Sequence, residues 1–168
     1  MDMPDDAFEL NASPTIRGAH VLSARIFIDR PIDEVFEFFS DAHNLQRITP
    51  SSLDFAILTP APIDMRVGTL IDYKLRIHGI PIRWRSKIST WEPPLRFVDE
   101  QVRGPYRIWH HEHRFESADG GTNVIDNVTF KPIGGALITR LFVGRDVRRI
   151  FEFRSRSLHG LFASGSEP

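Results

Sequence analysis

The chain has no cysteine among its 168 residues, which excludes disulfides, thiolate metal sites and cysteine nucleophiles and allows a reducing cytosol without requiring one. No uninterrupted apolar run reaches the length of a membrane span. The acidic opening MDMPDDAFELNASP lacks the basic start and apolar core of a secretory signal. A cytoplasmic protein without a transmembrane segment is therefore expected. No phosphate loop, dinucleotide fingerprint or zinc-ligand motif occurs, nor any internal repeat or low-complexity segment. Neither sign of charge is in excess, with 21 Lys+Arg against 22 Asp+Glu, and no nucleic-acid partner is expected. What is present is ordinary hydrophobic content with 13 phenylalanines, enough for one domain with a real core.

Residues 1–18 are polar and punctuated by Pro4, Pro14 and Gly18, and read as a flexible lead-in. From Ala19 to Ile28 the positions Leu22, Ala24, Ile26 and Ile28 share a face, as in a strand. After Pro31 the period changes, and Ile32, Val35, Phe36 and Phe39 follow at the spacing of a helix stripe. Ser40-Asp41 can cap a second short helix carrying Leu45 and Ile48, stopped by Pro50. Strand patterns then run to Lys131: Leu53–Leu58, Ile71–His78, Ile82–Trp91 after a turn at Gly79–Pro81, Arg96–Arg103, Arg107–Glu116 and Asn123–Lys131. The last long segment, Gly135 to Phe162, reads as one amphipathic helix. Leu137, Val143, Val147, Ile150, Phe151, Leu158, Leu161 and Phe162 form its apolar arc, with Arg145, Arg148, Arg149, Glu152, Arg156 and His159 opposite. The expectation is an α+β helix-grip fold: a curved antiparallel sheet of about seven strands wrapped around a long C-terminal helix, with two short helices after the first strand. The domain spans residues 19–162, and 163–168 form a tail.

A curved sheet and a straight helix leave a hollow between them, and a hollow lined by aromatic and a few polar groups is a ligand site by default. In GPYRIWHHEHRFE, parity puts Trp109, His111, His113 and Phe115 on the inner face. Asp126 shares the inward face of the next strand with Val124, Val128 and Phe130, directly opposite His113 if the intervening tip closes as a four-residue loop over Ala118–Gly121. Asp99 and Gln101 share the face of Phe97, within reach of His111. Tyr73 and Trp84 fall on the apolar faces of their strands, and Met65 belongs to a connection at the rim. This His/Asp cluster admits three readings: metal ligands, a general acid or base pair, or a hydrogen-bonded network without chemistry. The third is the expectation, with no metal and no cofactor. Arg140 and Arg154 project into the apolar arc of the helix. Arg154, flanked by Phe151 and Leu158, requires an acceptor, either Asp99 or Asp126 or the acidic head of a ligand. A salt bridge anchoring helix to sheet is the preferred reading.

The segments PIDEVFEFFSDAHNLQRITP (31–50), FVDEQVRGPYRIWHHEHRF (97–115), TNVIDNVTF (122–130) and IFEFRSRSL (150–158) resemble the START and birch-pollen-allergen-like superfamily, SRPBCC. Within it they resemble the polyketide cyclase/dehydrase and lipid transport branch. The resemblance covers about residues 19–162 and implies a deep cavity for an apolar or amphipathic small molecule, without implying a reaction. The expected function is binding of a lipid-like or polyketide-like molecule, with cyclase or dehydratase chemistry an open question. The expected pocket residues are Tyr73, Trp84, Asp99, Trp109, His111, His113, Phe115, Asp126 and Arg154. The rival is an interaction protein with a filled cavity, docking a partner or an anionic surface through the basic helix face. The oligomeric state is not legible.

Overall fold

The computed structural model describes residues 7–134 and 143–163. An eight-stranded antiparallel sheet runs in the order β1-β2-β8-β7-β6-β5-β4-β3. Its strands are β1 (Ala7–Ala12), β2 (His20–Ile28), β3 (Ala56–Ile57), β4 (Leu70–Ile77), β5 (Ile80–Glu92), β6 (Arg96–Arg103), β7 (Tyr106–Ala118) and β8 (Gly121–Pro132). Helix α1 (Ile32–Ser40) and two 3-10 turns (Ala42–Ile48, Ser51–Leu53) follow β2, and helix α2 (Gly144–Ala163) ends the fold. This is the helix-grip arrangement. Among the described residues no helix is long and apolar enough to cross a membrane.

The alternation behind these strands is visible in their burial. Along β8 every second residue from Thr122 to Pro132 is buried, and on β7 His111, His113 and Phe115 are buried while His110 and Arg114 are exposed. Helix α1 buries Val35, Phe36 and Phe39. Asp41 caps the following 3-10 turn by accepting from the His43 backbone N–H at 2.9 Å, satisfying one of the orphan donors of a helix start. On α2 the buried residues include Val147, Phe151 and Leu158, as the apolar arc requires.

Several expectations are corrected. The lead-in is not free of structure, because Ala7–Ala12 pairs with β2 in register from Ala7↔Arg25 to Ala12↔His20. The outer edge of β2 offers unpaired backbone groups that a neighbouring extended segment satisfies, and Phe8 packs on the cluster of Leu22, Phe130 and Phe151. Among the described residues the sheet therefore has eight strands, where about seven are expected. The strand expected over Leu53–Leu58 shrinks to Ala56–Ile57, since Ser51–Leu53 is a 3-10 turn that Asp54 ends with φ 44°. The β4–β5 turn is His78-Gly79, with φ 50° and 81°, the doubly positive geometry of a tight hairpin. Ile80 and Pro81 thus belong to β5. Pro81 is tolerated there because β6 reaches only to Arg103, opposite Arg85, and among the described residues that end of β5 pairs with β4 alone. The helix expected from Gly135 is described from Gly144. Leu137, Arg140 and the tail beyond Ala163 lie outside the described residues.

Two apolar clusters form the core. One joins Phe36, Phe39, Phe97, Phe115 and Leu158 under α1 and the far end of α2; the other joins Leu22, Ala24, Val128, Phe130, Val147 and Phe151. Polar residues bridge the space between them.

Candidate functional site: a charged wall in an apolar cavity

Between the concave face of the sheet and α2 lies a cavity of about 990 Å³. Tyr73, Trp84, Asp99, Trp109, His111, His113 and Arg154 line it, as do Met65 and, from α2, Val147, Ile150 and Phe151. Leu45 and Ile48 of the 3-10 turn close one end, as expected of helices that plug the sheet. Trp84 and Trp109 stand edge to face, with ring centroids 5.1 Å apart. Phe115 and Asp126 share the inner faces, yet neither reaches the cavity. Phe115 is locked against Phe36 and Phe39 at 5.3 and 5.1 Å, and Asp126 is fully buried behind the histidines.

The β7–β8 hairpin closes with Ala118 opposite Gly121, which places His113 opposite Asp126, while β6 brings Asp99 opposite His111. The first pairing agrees with the counted register, and the second brings Asp99 within reach of His111. Diagonal hydrogen bonds are added to the direct pairs: His111 Nε2 meets Asp126 Oδ1 at 3.0 Å, and His113 Nε2 meets Asp99 Oδ2 at 3.0 Å. His113 Nδ1 also lies 2.8 Å from Asp126 Oδ1, and His111 Nδ1 lies 3.5 Å from Asp99 Oδ2. Across the gap from α2, Arg154 Nε stands 3.3 Å from Asp126 Oδ2. Its Nη2 lies 3.4 Å from Asp126 Oδ1 and 3.2 Å from His113 Nδ1. The guanidinium also packs over the Phe39 and Phe151 rings, at 5.1 and 5.8 Å. Arg154 therefore has its acceptor within the protein.

Electrostatics follow from this geometry. Burial opposes the charged form of Asp126, but Arg154 and the two histidines outweigh it and hold the carboxyl well below its ordinary range. Asp99 is held low in the same way, against burial, by its hydrogen bond to His113 and by the neighbouring charges. Burial, aided by His113, drives His111 down to about 4 despite its bond to Asp126. For His113 burial acts in the same direction, yet its contacts with Asp126 and Asp99 prevail and raise it above the ordinary value. The upward shift favours the protonated form of His113, in which two carboxylates face two cations and one neutral imidazole. Burial also pushes the Tyr73 phenol up, so it remains a neutral group of the wall.

Ser86 is a site residue that the sequence reading misses. Buried on the parity of Trp84 and Ile88, it accepts from Trp84 Nε1 at 3.0 Å and donates to Asp99 Oδ1 at 3.4 Å. The same face count that finds Trp84 reaches it. Gln101 instead clamps the β6–β7 turn, donating to the Tyr106 carbonyl at 2.6 Å. Asp99, His111 and His113 gather their ligand atoms within 4.8 Å of one another, the one donor set among the described residues that a metal ion could use. The basic side of α2 borders the same space: exposed Arg149 and Arg156 stand on the cavity edge, while Arg148 pairs with Glu152 at 3.3 Å.

The sheet, the helix across it and the cavity between them define a helix-grip protein of the SRPBCC type. Residues 19–161 match the family described as polyketide cyclase / dehydrase and lipid transport, and the chain belongs to it. Among solved structures the fold is similar to protein TTHA0849 from Thermus thermophilus, with a TM-score of 0.70, 15% identity and coverage of 88% of this chain and 99% of that one. It is also similar to Ms6760 from Mycobacterium smegmatis, at 0.68, 14% identity and 94% and 98% coverage. A third is the major latex-like protein 151 from Panax ginseng, at 0.65, 12% identity and 86% and 98% coverage. At these identities the likeness concerns the fold alone. No curated protein matches the chain significantly.

Proposed function

We propose that residues 19–162 form a binding unit for an apolar or amphipathic small molecule, lipid-like or polyketide-like, held between sheet and helix. The observation that carries this reading is the cavity itself. About 990 Å³ remains unfilled in a wall of aromatic and aliphatic side chains, a volume at the upper end of the usual range for small-molecule sites. The family description, which names polyketide cyclases and lipid transport, supports the same class of ligand. An apolar body would lie against Trp84, Trp109 and Ile150, and polar groups would meet Asp99 and His113 in the wall or Arg149 and Arg156 at the edge. The rival, a docking protein with a filled cavity, is disfavoured by the open volume.

The wall also offers a starting point for acid–base chemistry. His113 and Asp99, 3.0 Å apart, provide a proton donor and acceptor in a largely apolar wall, within reach of a bound molecule. Cyclisation or dehydration of a bound polyketide-like chain is the reaction class this pair would serve. The test of binding is native mass spectrometry of purified protein, followed by organic extraction and identification of the released molecule. A mass above that of the chain, lost on denaturation, is expected. A bare chain that also fails to take up an apolar fluorescent probe would defeat the proposal.

A further inference from the structure

We infer that Asp99, His111 and His113 form a binding site for one divalent first-row transition ion, with its open coordination positions turned to the cavity. The donor set is two imidazole nitrogens and one carboxylate oxygen, the chemistry that suits zinc or iron(II). The spacing fits an ion. A tetrahedral centre with bonds of about 2.0–2.1 Å holds its ligand atoms about 3.3 Å apart, and Asp99 Oδ2 lies 3.5 Å from His111 Nδ1 and 3.0 Å from His113 Nε2.

The second argument is what lies behind the ligands. Each histidine turns its other nitrogen to the same oxygen, Asp126 Oδ1, at 3.0 Å for His111 and 2.8 Å for His113. Carboxylates in that position fix ring orientation and tautomer and make the imidazole a better ligand. With its N–H groups turned to Asp126, each ring points a lone pair at the Asp99 carboxylate. Lone pairs meeting a carboxylate need a positive charge between them, which is either a proton on His113 or a metal ion. The proton and the ion therefore compete for one place.

The third argument is charge and rigidity. Arg154 already neutralises Asp126, so the three ligands bring a single negative charge to a divalent ion. His111 and His113 sit two apart on the central strand β7, and Asp99 directly across on β6, so the backbone ladder fixes all three. Ser86 holds the other oxygen of Asp99, leaving Oδ2 to face the histidines. All three ligands line the cavity and Asp126 does not, so an oxygen of a bound molecule can approach the ion from that side. There the ion would act as a Lewis acid on a carbonyl or enolate oxygen.

The site is tested without any organic ligand, so its failure is separate from failure of the binding reading. Tag-free full-length protein, stripped with chelator and dialysed, is titrated with Co²⁺ and then with Zn²⁺. Visible ligand-field bands saturating at one equivalent, bleached by Zn²⁺ and accompanied by proton release, are expected. His111→Gln, His113→Gln and Asp99→Asn should each abolish the bands, and Asp126→Asn should weaken affinity about 10–100-fold. His110→Gln, on the outer face of the same strand and paired with Glu100 at 2.9 Å, should bind as wild type. Folded wild-type protein that shows no Co²⁺ bands overturns the inference, a result requiring no variant. So does His110→Gln losing the bands, or a folded Asp99→Asn protein keeping them unchanged.

Discussion

Arg154 of α2 and Asp126 of β8 form an ion pair, Nε to Oδ2 at 3.3 Å, with both side chains almost completely buried. The pair ties the last helix to the sheet across the fold, between two apolar clusters that otherwise do the packing. Its partners are covalently remote and on facing elements, so it reports directly on whether the helix is seated.

Replacing Arg154 with methionine should destabilise the protein by about 3–5 kcal/mol, the scale for stranding one member of a buried pair, although the apolar stem is kept. Urea denaturation measures it. A loss below about 1 kcal/mol together with lost ligand uptake would assign Arg154 to ligand recognition instead.

Asp126→Leu alone should be as costly, because it strands Arg154 and removes the acceptor of both histidines. Combined with Arg154→Met the loss should be clearly less than the sum, since replacing both charges by apolar groups removes the desolvation cost along with the attraction. Strict additivity in the double-mutant cycle would show that the two residues do not interact in solution.

The two inner histidines should pull the pH dependence of stability in opposite directions in chelator-treated protein. His111 is lowered to about 4 from 6.5 in the fold, so between those values the unfolded chain binds more protons and stability falls as pH falls. His113 is raised; its contribution is fully present below 6.5 and is lost as pH rises through its folded value. Asp99 and Asp126 are lowered, so their contribution is present above about pH 3.8 and lost below it. Denaturation midpoints measured from pH 6.5 down to 4 should therefore fall in the wild type, with a flatter slope in His111→Gln. Equal slopes would mean that His111 is charged in the fold.

Trp84 and Trp109 line the cavity, and Trp91 does not. Uptake of an apolar ligand should shift tryptophan emission, and Trp84→Phe with Trp109→Phe should remove most of that change while leaving the signal of Trp91. A shift that survives in the double variant would place the ligand elsewhere.

Much of the site was legible because a strand has a side-chain period of two. Once Trp109 and Phe115 mark the inner face, His111 and His113 are forced onto it, and a short hairpin at Asp119-Gly120 forces His113 opposite Asp126. The helix period in turn put Arg154 on the buried arc, and the cost of an unpaired buried charge demanded an acid near it. Local pattern could not choose among acids. Asp99 and Asp126 both faced inward, and only the seating of α2 across the sheet gave Arg154 to Asp126. Nor could register alone show that each imidazole also bonds the acid diagonal to it, because this depends on side-chain rotamers where the two rings have centroids 3.7 Å apart.

The sequence by itself determined the order of the main elements from β2 onward, the faces of the strands and helices, and most of the residues that must be buried, since all of these follow from backbone periodicity and the cost of burying apolar or charged groups. Tertiary structure alone decided the rest. It recruited Ala7–Ala12 as a strand because β2 had an edge to satisfy. It kept Phe115 in the core and out of the cavity, and it left about 990 Å³ unfilled. That volume is set by how far the curvature of the sheet departs from the line of α2, a distance no single segment of the chain encodes.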